Sequence, residues 1–217
     1  MLLRIRVRLP DRPGSLGKVA RILGVAGADV VQMAVLERDS GRALDDFAVA
    51  WPAGAGIDRL CDGLASIPGV EIIGIWPTEE PQGAFPDAAL IGQLAAEPRR
   101  GPVTLVDAVP ALLSADWAGL AEIGPAGAVL AHASAGGGTK VELPELEPVR
   151  PRAFTAPDGI QYALAPIVDA EGAELVLLVA RTGAPPFHRT EVFRLAQLVG
   201  AAEAVLGVRH PDPVQSS

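Results

Sequence analysis

The alternation of apolar residues with arginines over residues 3–9 is the feature that most restricts the fold of this chain. It predicts a β-strand with one apolar face and one basic face. Asp11, Pro13 and Gly14 then end the alternation, and apolar residues recur at helical spacing over residues 14–26. The chain therefore begins with a half-buried strand that passes through a tight turn directly into an amphipathic helix.

Four more elements complete the first part of the chain. Strands are predicted over 29–38, 43–51 and 70–76, a helix over 56–67, and a hairpin turn over 39–41. The order strand, helix, strand, strand, helix, strand is that of two split βαβ units. It predicts an α+β, ferredoxin-like unit, in which a four-stranded antiparallel sheet carries both helices on one face. The right-handed crossover rule gives the strand order 4-1-3-2.

The charged residues of the sheet are expected on its other face. Arg4, Arg6 and Arg8 alternate with the apolar residues of the first strand, and Asp46 has the outward parity of the third strand. Arg6 and Asp46 are thus predicted to form an exposed pair worth about 0.2–1 kcal/mol. Asp45 and Asp46 point to opposite faces, so they do not form a carboxylate pair.

The second half of the chain has a different pattern. Helices are predicted over 87–97, 103–114 and 188–207, and strands over 117–124, 128–134, 160–168 and 173–181. Proline, glycine and acidic residues over 78–87 are typical of a linker. We therefore expect a first domain over 1–77, a linker over 78–87, a second domain over 88–208 and a tail over 209–217.

The composition narrows the class of protein. A net charge of −8 disfavours nucleic acids and anionic membranes as partners. A single cysteine excludes an intrachain disulfide, and neither a signal peptide nor a long apolar span is visible. We expect a cytoplasmic protein. The basic residues are almost all arginine, which is typical of a GC-rich bacterial genome.

The first part of the chain resembles an ACT domain, a small regulatory module that binds amino acids. The resemblance lies in "LPDRPGSLGKVARILGVAGADVVQMAV" and in the βαββαβ order, and it covers about residues 2–77. It implies a homodimer of modules that pair side by side, with an amino acid or related ligand near the interface. The ligand-binding residues that it implies are Asp11, Pro13, Gly14, Ser15, Leu16, Asp29 and Val30.

The turn after the first strand has suitable chemistry of its own. Pro13 and Gly14 make a tight turn that lets the backbone approach a ligand. The first N–H groups of the following helix suit a carboxylate, and Asp11 suits an ammonium group. The alternative is that Asp11 or Ser15 only caps the helix, with Ser15 the better candidate.

Two aspartates distinguish this chain from many ACT domains. At the positions of Asp11 and Asp29, ACT domains that bind serine-like ligands often have asparagine. Asparagine both donates and accepts hydrogen bonds, whereas an ionised aspartate only accepts. The chain should therefore bind a more cationic or less anionic ligand, or have lost the site.

The second half resembles a degenerate GAF-like sensor domain, with an antiparallel sheet and helices. The resemblance lies in "ALAPIVDAEGAELVLLVARTGAPPFHRTEVFRLAQLVGAAEAVLG", and the segment 135–151, which normally builds a ligand lid, is shortened. No serine or cysteine has a nucleophile signature, and no histidine has metal-ligand spacing. We expect a non-catalytic sensor without metal or cofactor that acts through a downstream protein partner. The alternative is a structural or protein-interaction module with degenerate sites, and a small enzyme is the third class.

Overall fold

The computed structural model describes residues 1–79, 85–124, 127–137, 142–168 and 173–207. Residues 80–84 of the expected linker and the tail over 209–217 lie outside these ranges. The contacts divide the chain into two units. The first comprises Met1–Glu80 with Gly183–Thr190, and the second comprises Pro81–Thr182 with Glu191–Ser217.

The first unit has the predicted βαββαβ order. Its elements are β1 (Leu2–Pro10), α1 (Ser15–Val25), β2 (Asp29–Asp39), β3 (Arg42–Ala50), α2 (Asp58–Ala65) and β4 (Glu71–Thr78). The strands form one sheet in the order β2-β3-β1-β4, and every pair is antiparallel. The α+β fold class and the strand order predicted from the crossover rule are both confirmed.

The apolar alternation of β1 builds the core of this unit. Ile5 lies opposite Phe47 of β3, and both side chains are buried together with Leu23 of α1 and Leu60 of α2. Helix α1 ends where Gly27 adopts a positive φ of 79°, and the amide of Ala28 donates to the carbonyl of Leu23. Both helices therefore pack on the face that the alternation predicts.

The other face of the sheet differs from the prediction. Arg6 and Asp46 do pair, with Nε and Nη2 of Arg6 donating to the two carboxylate oxygens at 2.6 and 2.8 Å. The prediction that this pair is exposed is wrong, because each residue is only 2% exposed. Arg6 also donates to the carbonyl of Pro186 at 3.3 Å and lies 5.4 Å from the ring centroid of Trp76.

The segment Gly183–Thr190 supplies this cover within the first unit. A Cβ added at Gly74 of β4 would lie 2.4 Å from Cγ of Pro185, so glycine is needed for the proline to approach. His188 and Arg189 of the same segment bind the carboxylate of Glu37 in β2. Arg6 is thus buried by a segment that lies more than a hundred residues further along the chain than the strands of this sheet.

The second unit contains a five-stranded antiparallel sheet. Its elements are α3 (Pro86–Ala96), a 3-10 turn (Pro98–Arg100), α4 (Gly101–Leu113), β5 (Trp117–Gly124), β6 (Gly127–Ala133), β7 (Arg152–Thr155), β8 (Gln161–Val168), β9 (Glu174–Arg181) and α5 (Arg189–Leu206), whose first two residues belong to the first unit. The strand order is β6-β5-β9-β8-β7. Strand β7 was not predicted, whereas the other strands begin and end within one residue of the expected positions.

Candidate functional site

The turn between β1 and α1 is fixed by backbone hydrogen bonds. The amide of Asp11 donates to the carbonyl of Gly41 at 2.8 Å, and the amide of Ser15 donates to the carbonyl of Arg12 at 3.2 Å. Gly14 has a φ of 85°, in the left-handed region that favours glycine. Its Cα faces open space, since an added Cβ would have no neighbour within 4 Å. The turn therefore brings bare backbone to the surface at the helix start.

The capping alternative is wrong for this helix. Gly14 occupies the N-cap position, and no side chain makes a cap hydrogen bond to α1. Ser15 is the first helical residue. Within the described residues, the amides of Leu16 and Gly17 have no hydrogen-bond acceptor. Two N–H donors and the positive end of the helix dipole thus remain available to an anionic group.

Asp11 lies beside one basic and one acidic neighbour. Its Oδ1 is 3.8 Å from Nε of Arg38, a residue near the end of β2. Asp45 of β3 is buried, and its Oδ1 has no hydrogen-bond partner. Burial raises the pKa of Asp45, the charge of Arg38 lowers it, and the charges of Asp11 and Asp46 raise it. The corner after β1 thus holds two carboxylates and one guanidinium.

Sequence reasoning did not predict the burial of Asp45. The prediction that Asp45 and Asp46 point to opposite faces agrees with the structure, since Asp46 pairs with Arg6 on the outer face. The missed signal is parity, because Asp45 alternates in step with Phe47 and Val49, both of which are buried in the core. Burying a carboxylate among apolar side chains costs folding free energy unless the carboxylate is paired.

Asp29 and Val30 lie at the opposite end of the sheet from Asp11. Asp29 begins β2 opposite Ala50, whereas the other end of β2 pairs with Arg42, next to the Asp11 turn. At about 3.3 Å per residue, the ten steps from Asp29 to Asp39 span roughly 30 Å. One chain therefore does not bring the two predicted parts of the site together.

Strand β2 is an edge strand with exposed apolar side chains. In the described part of the first unit it pairs with β3 alone. The side chains of Val30, Val31, Met33 and Val35 are 38–43% exposed. Unpaired edges with apolar residues favour pairing with another strand.

The second unit contains a separate cavity. Its volume is about 410 Å³, and it is lined by the ends of β5 and β6 and by residues 143–147. The guanidinium of Arg152 donates to the carbonyls of Glu145, Glu147 and Pro148, which fixes this wall. Among the described residues that line it, the charged ones are Glu145 and Glu147.

The described residues contain neither a side-chain cluster for a metal ion nor a helix that could cross a membrane. Among the described residues, no group of three or more histidine, cysteine or acidic side chains could hold a metal ion. The helices in the described ranges are too short or too polar to cross a membrane.

Comparison with known proteins gives structural likenesses only. No family model matches the chain, and no curated protein matches it in sequence. The regulatory subunit of aspartate kinase from Thermus thermophilus is similar over 95% of this chain and 90% of that one, at 15% identity and a TM-score of 0.32.

Two further structures each resemble part of the chain. A GAF domain/HD domain protein from Geobacter sulfurreducens matches over 54% of this chain and 95% of that chain, with 15% identity and a TM-score of 0.39. A formyltetrahydrofolate deformylase from Pseudomonas putida KT2440 matches over 45% of this chain, with 16% identity and a TM-score of 0.33. The match spans only 39% of the deformylase.

Proposed function

We propose that this protein is a non-catalytic regulatory sensor that binds an amino acid or a related metabolite at the turn between β1 and α1. The observation that carries the proposal is the turn itself, in which Asp11 is followed by a helix start whose Leu16 and Gly17 amides have no acceptor among the described residues. An amino acid carries an ammonium group and a carboxylate. The carboxylate of Asp11 can accept hydrogen bonds from the ammonium group, and the two amides can donate to the ligand's carboxylate.

The site is completed by a second copy of the chain. Pairing of two β2 edges in antiparallel fashion would bury their apolar side chains around a twofold axis. Because Asp29 and Asp39 are at opposite ends of β2, such an axis would place Asp29 of the partner subunit beside Arg38 and Asp39. The predicted residues Asp11 and Asp29 would then face one ligand from two subunits.

One observation favours the alternative of an interaction module without a ligand. Arg38 already pairs with Asp11, so the carboxylate has a cation beside it in the absence of a ligand. The pair is largely exposed, and exposed ion pairs contribute only about 0–1 kcal/mol. A ligand ammonium can therefore displace Arg38 at small cost.

Thermal melting of the full chain with each of the common amino acids tests the proposal. A ligand at about 100 times its dissociation constant stabilises the folded state by about 2.7 kcal/mol, which gives a measurable shift. We expect at least one amino acid to raise the melting temperature and Asp11→Ala to remove that response. If none raises it, the interaction module is the better description.

A further inference from the structure

The carboxylate of Asp45 is buried in a row of apolar side chains. It lies in the strand row that also contains Ala43 and Phe47, and these two side chains are buried and apolar. Asp45 is itself only 3% exposed, and its Oδ1 has no hydrogen-bond partner. A polar group that is buried and unpaired costs free energy in the ligand-free protein. Such a cost is typical of a group whose partner is a ligand.

The surroundings of Asp45 lead to the β1–α1 turn. Its neighbours in the sheet are Val7 of β1 and Val35 of β2, so it offers its charge to the helix-facing side. Arg38 of β2 pairs with Ala43, two residues from Asp45 on the same face of the sheet, and its Nε lies 3.8 Å from Oδ1 of Asp11. The charges of Arg38, Asp11 and Asp46 all act on Asp45. Asp46 is held by Arg6 on the outer face, which leaves Asp11 and Arg38 as the charges on its own side.

We propose that Asp45 and Asp11 together form a subsite for an alkylammonium group, so that the ligand is a basic amino acid or a diamine rather than a neutral amino acid. This deepens the proposed function and rests on it, because the amides of Leu16 and Gly17 receive the carboxylate of the ligand. Asp11 then accepts from the side-chain ammonium, and Asp29 of the partner subunit is the carboxylate for the α-ammonium group. In the ligand-free protein Arg38 supplies the positive charge, and its side chain is 66% exposed and free to swing away. The ammonium replaces the guanidinium and leaves the charge of the corner unchanged.

An ammonium group fits this corner better than a metal ion. Calcium takes six to eight oxygen ligands, and magnesium requires near-octahedral geometry. The described residues contain no cluster of three or more metal-binding side chains. Two carboxylates suit a single ammonium group, which makes short, charge-assisted hydrogen bonds with both.

Calorimetric titration of the full chain at pH 7.5 with L-lysine, L-norleucine and cadaverine tests the subsite. Norleucine has the backbone of lysine without the terminal ammonium, and cadaverine has two ammonium groups without the carboxylate. We expect lysine to bind at least about tenfold more tightly than norleucine, as the loss of a charge-assisted hydrogen bond implies. In Asp45→Asn this preference should disappear, whereas in Asp62→Asn, an exposed carboxylate of α2, it should remain.

A second variant tests the subsite even if Asp45→Asn does not fold. Arg38→Gln removes the competing guanidinium from an exposed position, and we expect it to strengthen lysine binding several-fold. Unchanged or weaker lysine binding in Arg38→Gln would overturn the subsite. So would equal affinities for lysine and norleucine in the natural protein.

The outcomes separate the subsite from the proposed function. If a neutral amino acid binds as tightly as lysine, the sensor function stands and the subsite is wrong. If cadaverine binds in a manner that requires Asp45 while no amino acid binds, the subsite stands and the amino-acid sensor is wrong. If neither lysine nor cadaverine binds, the subsite is wrong whatever else binds.

Discussion

Single charged residues of the first unit occupy three kinds of environment. Arg8 and Glu71 pair at 3.4 Å in an exposed position, and Arg6 and Asp46 form a buried pair. Asp45 is also buried, and its Oδ1 has no hydrogen-bond partner. The stability that each contributes follows from its solvation. An exposed pair contributes little, a buried pair becomes costly when broken, and a lone buried carboxylate is costly as it stands.

Substitution of Asp46 should therefore destabilise the protein strongly. Asp46→Asn leaves the buried guanidinium of Arg6 without its counter-charge, and we expect a loss of about 3–5 kcal/mol in the free energy of unfolding. Glu71→Gln is the matched control at the exposed pair, with an expected loss below about 1 kcal/mol. Urea denaturation measures both values, and similar losses for the two variants would contradict the assignment of Asp46 to a buried pair.

Substitution of Asp45 should have the opposite sign and depend on pH. Because the pKa of Asp45 is raised on folding, the folded state binds its proton more tightly than the unfolded state does. The free energy of unfolding therefore decreases as the pH rises through the pKa of the folded state. At neutral pH the buried carboxylate destabilises the folded protein. We expect Asp45→Asn to be more stable than the natural protein at pH 7.

The gain in the free energy of unfolding of Asp45→Asn should be about 1 kcal/mol at pH 7. It should vanish below about pH 4, where Asp45 is protonated in both the folded and the unfolded natural protein. Melting curves between pH 3 and pH 8 measure it. An Asp45→Asn protein that melts earlier than the natural protein at pH 7 would show that the carboxylate is stabilised by its surroundings.

At the scale of elements, β2 forms an edge of the sheet. The predicted site residues Asp11 and Asp29 lie near opposite ends of this strand. Val31→Lys places a charge on that edge without changing the core, since Val31 is partly exposed already. We expect sedimentation to show a dimer for the natural protein and a monomer for Val31→Lys. Val25→Lys, at an exposed position in the last turn of α1, should remain a dimer. A natural protein that sediments as a monomer would remove the basis for the shared site.

The sequence predicts elements well where each one carries its own period. The alternation in β1 and the spacing in α1 set both the element and its buried face, and the crossover rule then sets the strand order. Strand β7 has only four residues and pairs only with β8 in the described sheet, so its partner rather than its own pattern makes it a strand. The contact between Arg6 and the segment at Pro185 and Pro186 is likewise long-range in sequence, so no local pattern predicts it.

At the scale of the whole molecule, the first unit is discontinuous in sequence. It includes Gly183–Thr190, and the backbone of that segment accepts a hydrogen bond from Arg6. A fragment of residues 1–79 should fold with the same secondary structure but melt earlier than it does with the segment restored. A synthetic peptide of residues 183–190, added in excess, should raise its melting temperature by mass action.

The control for this experiment is Gly74→Val in the fragment. A side chain at this position would collide with Pro185, so the peptide should no longer stabilise the fragment. Equal stabilisation of the two fragments would show that the segment binds elsewhere. An unfolded fragment that the peptide does not rescue would show that residues 1–79 are not a folding unit.

The most direct test of the shared amino-acid site is a subunit-mixing experiment with the amino acid that gives the largest thermal shift. Asp11→Ala and Asp29→Ala should each abolish binding as separate proteins, because every site then lacks one carboxylate. When the two variants exchange subunits, each mixed dimer has one site with both aspartates and one with neither. Calorimetric titration should then recover about a quarter of the binding sites of the natural protein. A mixture that recovers no binding, or variants that bind fully on their own, would contradict a site built from Asp11 of one subunit and Asp29 of the other.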